Sequence, residues 1–211
     1  MFLSSNRSAR RMFPMDVRGT VTLLALFLTA PAALQSAEFP AELVEFEPYA
    51  ENPIFGGAGP GHWDAKIRER GWVRREADGY SMWYTGYDGN KGTIKLLGYA
   101  TSSDGLHWTR FPGNPLVADH WVEDMMVLKR GPTYYMVAEG RSDIAQWLTS
   151  TDKLHWERRG SLDVRHTDGR PITTGPYGTP TLWHEHGVWY LFYERGDRGV
   201  FSFHPGDVAA V

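Results

Sequence analysis

The side chains of this sequence that could do chemistry are carboxylates that lie beside arginines and tryptophans. Glu123 and Asp124 directly precede an apolar run, Glu69 lies between two arginines, and Asp64 follows Trp63. A pair of carboxyl groups can act as general acid and general base, and exposed aromatic faces beside such groups suit sugar rings. Tryptophans that are buried to stabilise a repeat fold are the alternative interpretation of the aromatic residues.

Several other reactions are excluded by what the sequence lacks. It contains no cysteine, which excludes disulfides, cysteine-ligated zinc and cysteine nucleophiles. It also contains no phosphate-binding loop, no Ser-His-Asp order and no dinucleotide fingerprint. The net charge of −3 gives no electrostatic reason to expect nucleic acid or an anionic membrane as a partner.

The histidines do not indicate a catalytic or metal centre. His107 and His155 occupy equivalent places before a tryptophan, so we predict that both are structural. His184 and His186 lie at a predicted hairpin turn and could bind a metal, but the sequence shows no third ligand. We therefore predict no metal site and no cofactor, and nothing in the sequence supports calcium, although nothing excludes it.

These candidate residues must be positioned by a strand-rich unit that recurs along the chain. Tyr80–Gly86 (YSMWYTG) corresponds to Tyr134–Gly140 (YYMVAEG), and Ser103–Trp108 corresponds to Thr151–Trp156. A third copy begins at Val188–Glu194. A repeat of about 50 residues that consists of short strands is typical of a β-propeller blade. The sequence therefore predicts an all-β propeller.

The first 37 residues have the three-part layout of a secretory signal peptide. Four arginines from Arg7 to Arg18 precede the apolar run Val21–Ala30, and the small residues of Pro31–Ala37 follow. The apolar run is short for a membrane span, although an uncleaved anchor is the alternative. We therefore expect an exported protein, periplasmic or extracellular, without membrane association after the signal is removed.

Two to three blades cannot close a ring, because propellers typically have four to eight. We therefore expect the chain to be a truncated product or one part of an assembly, and its oligomeric state stays open. The expected segments are a signal peptide at 1–37, a lead-in at 38–61 and an incomplete propeller at 62–211, with blades near 62–111, 121–159 and 178–205.

The repeats resemble those of the five-bladed propeller glycosidases, the superfamily that holds glycoside hydrolase families 32, 43 and 130. The matching segments are Trp83–Asp88 (WYTGYD), Leu97–Trp108 (LGYATSSDGLHW), Val122–Met125 (VEDM) and Trp189–Glu194 (WYLFYE). The resemblance covers roughly residues 62–199 and implies the N-terminal portion of such a propeller. It implies a glycosidase that hydrolyses an extracellular poly- or oligosaccharide.

In that superfamily the working carboxylates lie on the inner strands around a central funnel. The resemblance makes Asp124 the preferred catalytic residue with Glu123 beside it, and Glu69 or Asp64 the partner from the first repeat. Structural roles as turn caps or strand-end ion pairs are the alternatives. The candidate substrate-binding residues flank these carboxylates in sequence or end the second strands of the repeats: Trp63, Arg70, Trp121, Glu139, Arg141 and Glu194.

The third repeat departs from the superfamily pattern. Its spacing places Gly178 opposite Glu123 and Thr179 opposite Asp124, so no acid lies where the resemblance implies one. The general acid is therefore unassigned, and whether the chain is an enzyme stays open. The alternative function is that of a non-catalytic carbohydrate-binding or scaffold propeller. Carbohydrate is the expected partner under both hypotheses.

Overall fold

The computed structural model describes residues 40, 43–68, 70–166, 168–170 and 177–195, and only the backbone of Arg195. The expected signal peptide at 1–37, Glu69 and the expected end of the third blade at 196–205 lie outside these residues. The candidates Asp64, Asp124 and Glu139 lie within them.

The chain divides into one unit that ends at Glu47 and a second unit that begins at Pro48. In the described part of the first unit, the amide of Leu43 donates to the carbonyl of Pro40 at 3.0 Å and closes a turn. Within the described ranges of the whole chain, no helix has the length and hydropathy that a membrane span requires. All candidate site residues belong to the second unit.

The described residues of the second unit form three antiparallel sheets, one for each expected repeat. The first sheet consists of β1 (Lys66–Ile67), β2 (Trp72–Glu76), β3 (Gly79–Tyr87), β4 (Leu96–Ser102) and β5 (Thr109–Arg110). The second sheet consists of β6 (Glu123–Arg130), β7 (Thr133–Glu139), β8 (Ala145–Ser150) and β9 (Glu157–Ser161), in that order. The third consists of β10 (Tyr177–Glu185) and β11 (Val188–Arg195). The prediction of an all-β fold is confirmed.

Two-residue turns connect the first two long strands of each sheet. The ladders end at the pairs Glu76–Gly79, Arg130–Thr133 and Glu185–Val188. In the third turn, His186 and Gly187 have φ values of 50° and 81°. Positive φ at both central residues is the requirement of a type I′ hairpin turn, whose twist matches that of the strands.

The core lies between neighbouring sheets. Alternate side chains of β6 point to opposite faces, so β6 is buried on both sides. Met125 and Val127 pack in a cluster with Trp83 of the first sheet. Met126 packs in a second cluster with Leu182 of the third sheet. This arrangement, in which each sheet buries its neighbour's face, is how repeat folds form a continuous core.

The turns Ser103–Trp108 (SDGLHW) and Thr151–Trp156 (TDKLHW) of the first two repeats contain the same hydrogen bonds. The carboxylate of Asp104 accepts from the amide of His107 at 2.8 Å and contacts its ring Nδ1 at 2.7 Å. In the second repeat Asp152 makes the corresponding contacts with His155 at 2.8 Å and 2.6 Å. The two histidines therefore stabilise turns, in agreement with the structural role expected from their place in the repeats.

Candidate functional site

A cavity of about 250 Å³ lies where the first residues of the inner strands meet. Each sheet contributes one short segment to its lining: Arg70–Trp72, Asp124–Met126 and Thr179–Thr181. A larger cavity of about 670 Å³ shares Trp72, Met126 and Thr181 with it and continues along the same strands. The inner strands of the three repeats therefore line a common space.

Arg70, Asp124 and Thr179 occupy the same position in the three repeats. In each inner strand the pairing with the next strand is interrupted by a break or a bulge and then resumes. It resumes at the pairs Trp72–Trp83, Met126–Val137 and Thr181–Phe192. Each of the three residues lies two positions before the pair in its own repeat. The correspondence that sequence spacing predicts is thus confirmed by strand register. The cavity receives a cation, a carboxylate and a hydroxyl from equivalent places.

Irregular backbone directs Asp124 and Thr179 to the cavity. In β6 the ladder register shifts between Glu123 and Met126, and in β10 it shifts between Gly178 and Thr181. Such β-bulges redirect a side chain and occur often beside active sites. Asp124 has a φ of 47° and Thr179 a φ of 43°, a region that costs a non-glycine residue on the order of 1–3 kcal/mol.

Asp124 is the carboxylate that lines this cavity. It is 9% exposed, and its Oδ2 lies 3.7 Å from Nε of Arg70. The side chain of Arg70 is 55% exposed, so solvent screens the pair and its own contribution to stability is below about 1 kcal/mol. The pair instead places opposite charges from two repeats at the cavity, where both can contact a polar ligand.

Glu123 is held by partners that do not line the cavity. Its Oε2 accepts from Nε of Arg68 at 3.1 Å, and its Oε1 accepts from Nε1 of Trp121 at 2.7 Å. Trp121 also lies under Nζ of Lys95, 4.9 Å from its ring centroid. The structure therefore places Glu123 and Trp121 in a polar cluster of their own, and it is Asp124 of the two neighbouring acids that reaches the cavity.

Glu139 connects the second and third sheets. It is 7% exposed, and its Oε1 accepts from the backbone amide of Thr179. A Cβ on Gly178 would lie only 3.3 Å from the same oxygen, so glycine leaves room for the carboxylate. The sequence left Glu139 either as a substrate-binding residue or in an ion pair at a strand end, and the structure places its carboxylate against the backbone amide of Thr179.

The pKa of Glu139 is raised from 4.5 to about 7. Burial is the main cause, because removal from water disfavours the charged form. The negative charges of Asp124, Asp143 and Glu123 raise the pKa further, and the hydrogen bond from the amide of Thr179 lowers it. The carboxyl group of Glu139, at a contact between two sheets, therefore changes its protonation state near neutral pH.

Three carboxylates near this contact could hold a cation. Ligand oxygens of Glu123, Glu139 and Asp143 all lie within 4.8 Å of one another. Carboxylate oxygens are the usual protein ligands of calcium, but acidic groups are also this close in proteins that bind no metal. The absence of a metal site stays a prediction.

Asp64 and Trp63 lie in the turn that precedes β1. Asp64 is 2% exposed, and its Oδ2 accepts from Nε of Arg110 at 2.8 Å and from the hydroxyl of Tyr84 at 3.1 Å. Burial, followed by the charge of Asp64, raises the pKa of Tyr84. Trp63 stacks on Tyr84 with 5.9 Å between the ring centroids. The structure does not bring Asp64 or Trp63 to the cavity lining.

The remaining candidates have other places. Arg141 begins a 3-10 turn, Arg141–Asp143, and is exposed. Glu194 is half-buried and pairs with Gly178 in the ladder. Glu69 lies outside the described residues. Trp72 lines both cavities but was not a candidate. It lies within a predicted strand, and nothing in the local sequence indicates that its ring faces a cavity.

Solved structures are similar to part of this chain. The BT0996 RGII complex superposes with a TM-score of 0.52 and 20% identity, over 67% of this chain and 46% of the other protein. The Bombyx mori GH32 beta-fructofuranosidase BmSUC1 has a TM-score of 0.46 and 22% identity, over 61% and 30%. The exo-beta-1,3-galactanase of Phanerochaete chrysosporium has a TM-score of 0.43 and 14% identity, over 66% and 36%.

No protein-family model matches the chain, and no curated protein sequence matches it. The chain spans less than half the length of each of the three structures, at 46%, 30% and 36%. At these identities the likeness concerns the fold alone, and it rests on the BT0996 structure. The described sheets therefore have the fold of part of a five-bladed β-propeller.

Proposed function

We propose that the cavity around Asp124 is a carbohydrate site of the glycoside hydrolase type. The observation that carries the proposal is that three equivalent backbone positions deliver Arg70, Asp124 and Thr179 to one cavity. Trp72 adds an aromatic wall, and aromatic faces beside polar groups suit sugar rings. Carboxylate, guanidinium and hydroxyl groups can all hydrogen-bond sugar hydroxyls.

In this proposal Asp124 is the carboxylate that the second blade contributes to hydrolysis. Glycoside hydrolysis uses two carboxyl groups, one that protonates the leaving oxygen and one that acts as base or nucleophile. Asp124 takes one of these roles, while Arg70 binds a sugar hydroxyl or orients the carboxylate. The proposal also places the protein outside the cytoplasm, after cleavage of residues 1–37. The similar BT0996 structure is a complex with RGII, which supports carbohydrate as the ligand class.

Release of reducing sugar from a panel of defined oligosaccharides tests the proposal. Asp124→Asn keeps the shape of the side chain and removes its charge, so it should abolish release. Asp163→Asn is the matched control, because Asp163 also pairs with an arginine, Arg165 at 2.8 Å, and does not line the cavity. Unchanged release by Asp124→Asn would remove Asp124 from the mechanism.

A second function, carbohydrate binding without hydrolysis, is favoured by one observation. The third sheet presents Thr179 to the cavity where the second presents Asp124, so within the described residues Asp124 is the carboxylate that the cavity lining contains. Glycan binding without release of reducing sugar, lost in Asp124→Asn, would support this function over hydrolysis.

A further inference from the structure

Thr179 has a backbone conformation that its residue type disfavours for two reasons. Its φ is 43°, and a β-branched residue at positive φ is a genuine outlier. It also precedes Pro180, and a residue before proline is normally restricted to extended conformations. Glycine would adopt the same conformation without steric cost.

Neighbouring groups hold Thr179 in this conformation. The carboxylate of Glu139 accepts its amide hydrogen from the adjacent sheet. Pro180 is buried, and the ladder resumes at Thr181, opposite Phe192. Strain of this kind persists only when the surrounding structure fixes it, and it is concentrated at binding and catalytic sites.

The conformation places Thr179 in the cavity lining together with Arg70 and Asp124. Thr179 is half-buried, so its side chain is accessible to a ligand. A hydroxyl can donate one hydrogen bond and accept two, which matches the hydroxyl groups of a sugar. It is neutral, so it can bind a sugar hydroxyl beside Asp124 without adding a second negative charge.

We propose that Thr179 is a specificity residue whose hydroxyl hydrogen-bonds a sugar hydroxyl in the cavity, at the position where the second sheet presents Asp124. This inference rests on the proposed carbohydrate site. It assigns a ligand contact to the third repeat, which presents neither the carboxylate of Asp124 nor the guanidinium of Arg70 at this position. It also explains why a strained threonine stands where glycine would be easier to accommodate.

Two substitutions test the hydroxyl. Thr179→Val removes the hydroxyl and keeps the branched shape, and Thr179→Ser keeps the hydroxyl. A printed array of oligosaccharides would first identify the one that the wild type binds most tightly. Calorimetric titration of the full chain with that oligosaccharide would then give the dissociation constants. Loss of one hydrogen bond predicts about five- to tenfold weaker binding for Thr179→Val. Thr179→Ser should stay within about twofold of the wild type.

His186→Gly is the matched control for the backbone. His186 has a φ of 50° in the turn of the same sheet, away from the cavity lining, so its replacement should leave binding unchanged. Equal affinity of Thr179→Val and the wild type, with binding lost in Asp124→Asn, would overturn the inference and leave the carbohydrate site intact. Absence of binding by the wild type to every array member would overturn the carbohydrate site and this inference with it.

Discussion

The second and third sheets contain the same β-bulge in their inner strands, but the bulge carries a different side chain in each. In both, the inner strand carries a bulge with a positive φ at the equivalent residue, Asp124 in one and Thr179 in the other. The second sheet therefore contributes a charge to the cavity and the third contributes a hydroxyl. The comparison shows that the fold fixes where a side chain is delivered, while the residue type decides what it can do.

The two sheets also differ at the residue before the bulge. Glu123 lies opposite Glu139 in the second sheet, whereas Gly178 lies opposite Glu194 in the third. Because Gly178 has no side chain, the carboxylate of Glu139 can reach the amide of Thr179. The third sheet thus has room for the carboxylate of Glu139 beside Gly178, whereas the second sheet has the side chain of Glu123 at the equivalent position.

The largest effect is expected from Asp124 itself. Asp124→Asn should lower the rate of oligosaccharide hydrolysis by at least about 100-fold, because a positioned acid or base contributes about 10²–10⁴-fold. Thr179→Val should lower the same rate by no more than about tenfold, since it removes a neutral contact. Initial rates of reducing-sugar release would measure both. Equal effects of the two substitutions would contradict the different chemistry assigned to the two sheets.

The next effect concerns Glu139 and pH. Its pKa of about 7 lies above the ordinary value of 4.5, so the folded protein keeps this proton after the unfolded chain has lost it. The resulting stabilisation is complete below pH 4.5 and is lost as the pH rises to about 7. Glu139→Gln resembles the protonated form, so it should unfold at a similar denaturant concentration at pH 4. At pH 8 it should be more stable than the wild type, by about 3 kcal/mol.

Urea unfolding at the two pH values, with a chelator present so that no cation neutralises the carboxylates, would measure this difference. Glu194→Gln is the control, because Glu194 has the place in the third repeat that Glu139 has in the second, but it is only half-buried. A Glu139→Gln variant whose stability relative to the wild type is the same at pH 4 and pH 8 would contradict the raised pKa.

The smallest effect concerns the strain in the bulges. Thr179→Gly relieves a positive φ at a β-branched residue and should raise the free energy of unfolding by about 1 kcal/mol. Asp124→Gly should give less, because aspartate tolerates this conformation better and the substitution removes the contact with Arg70. Urea unfolding of both variants measures the difference. A Thr179→Gly variant that is less stable than the Asp124→Gly variant would contradict the greater strain assigned to Thr179.

Much of the fold follows from short-range sequence patterns. The recurrence of Tyr80–Gly86 predicts the long central strands, and the Ala-Asp-Gly turn before Tyr80 predicts the first hairpin, because turn residues and strand periodicity are local signals. The spacing between repeats also places Thr179 opposite Asp124, which strand register confirms. These predictions need no knowledge of how the sheets contact one another.

The contacts between sequence-distant residues could not be predicted. Asp64 is a candidate on sequence, but its partners Tyr84 and Arg110 come from other strands. Glu139 of the second sheet accepts a hydrogen bond from Thr179 of the third. A bulge also changes which face of the sheet the following residues occupy, so strict alternation along the strand assigns them to the wrong face. Such features depend on tertiary packing, which a local pattern does not encode.

A crystal structure of the protein with a bound oligosaccharide tests the central claim most directly. We predict a sugar ring in the cavity formed by the three inner strands, stacked on Trp72, with hydroxyl groups within hydrogen-bond distance of Asp124 and Thr179. A sugar bound elsewhere, or three sheets whose inner strands do not share a cavity, would contradict the account.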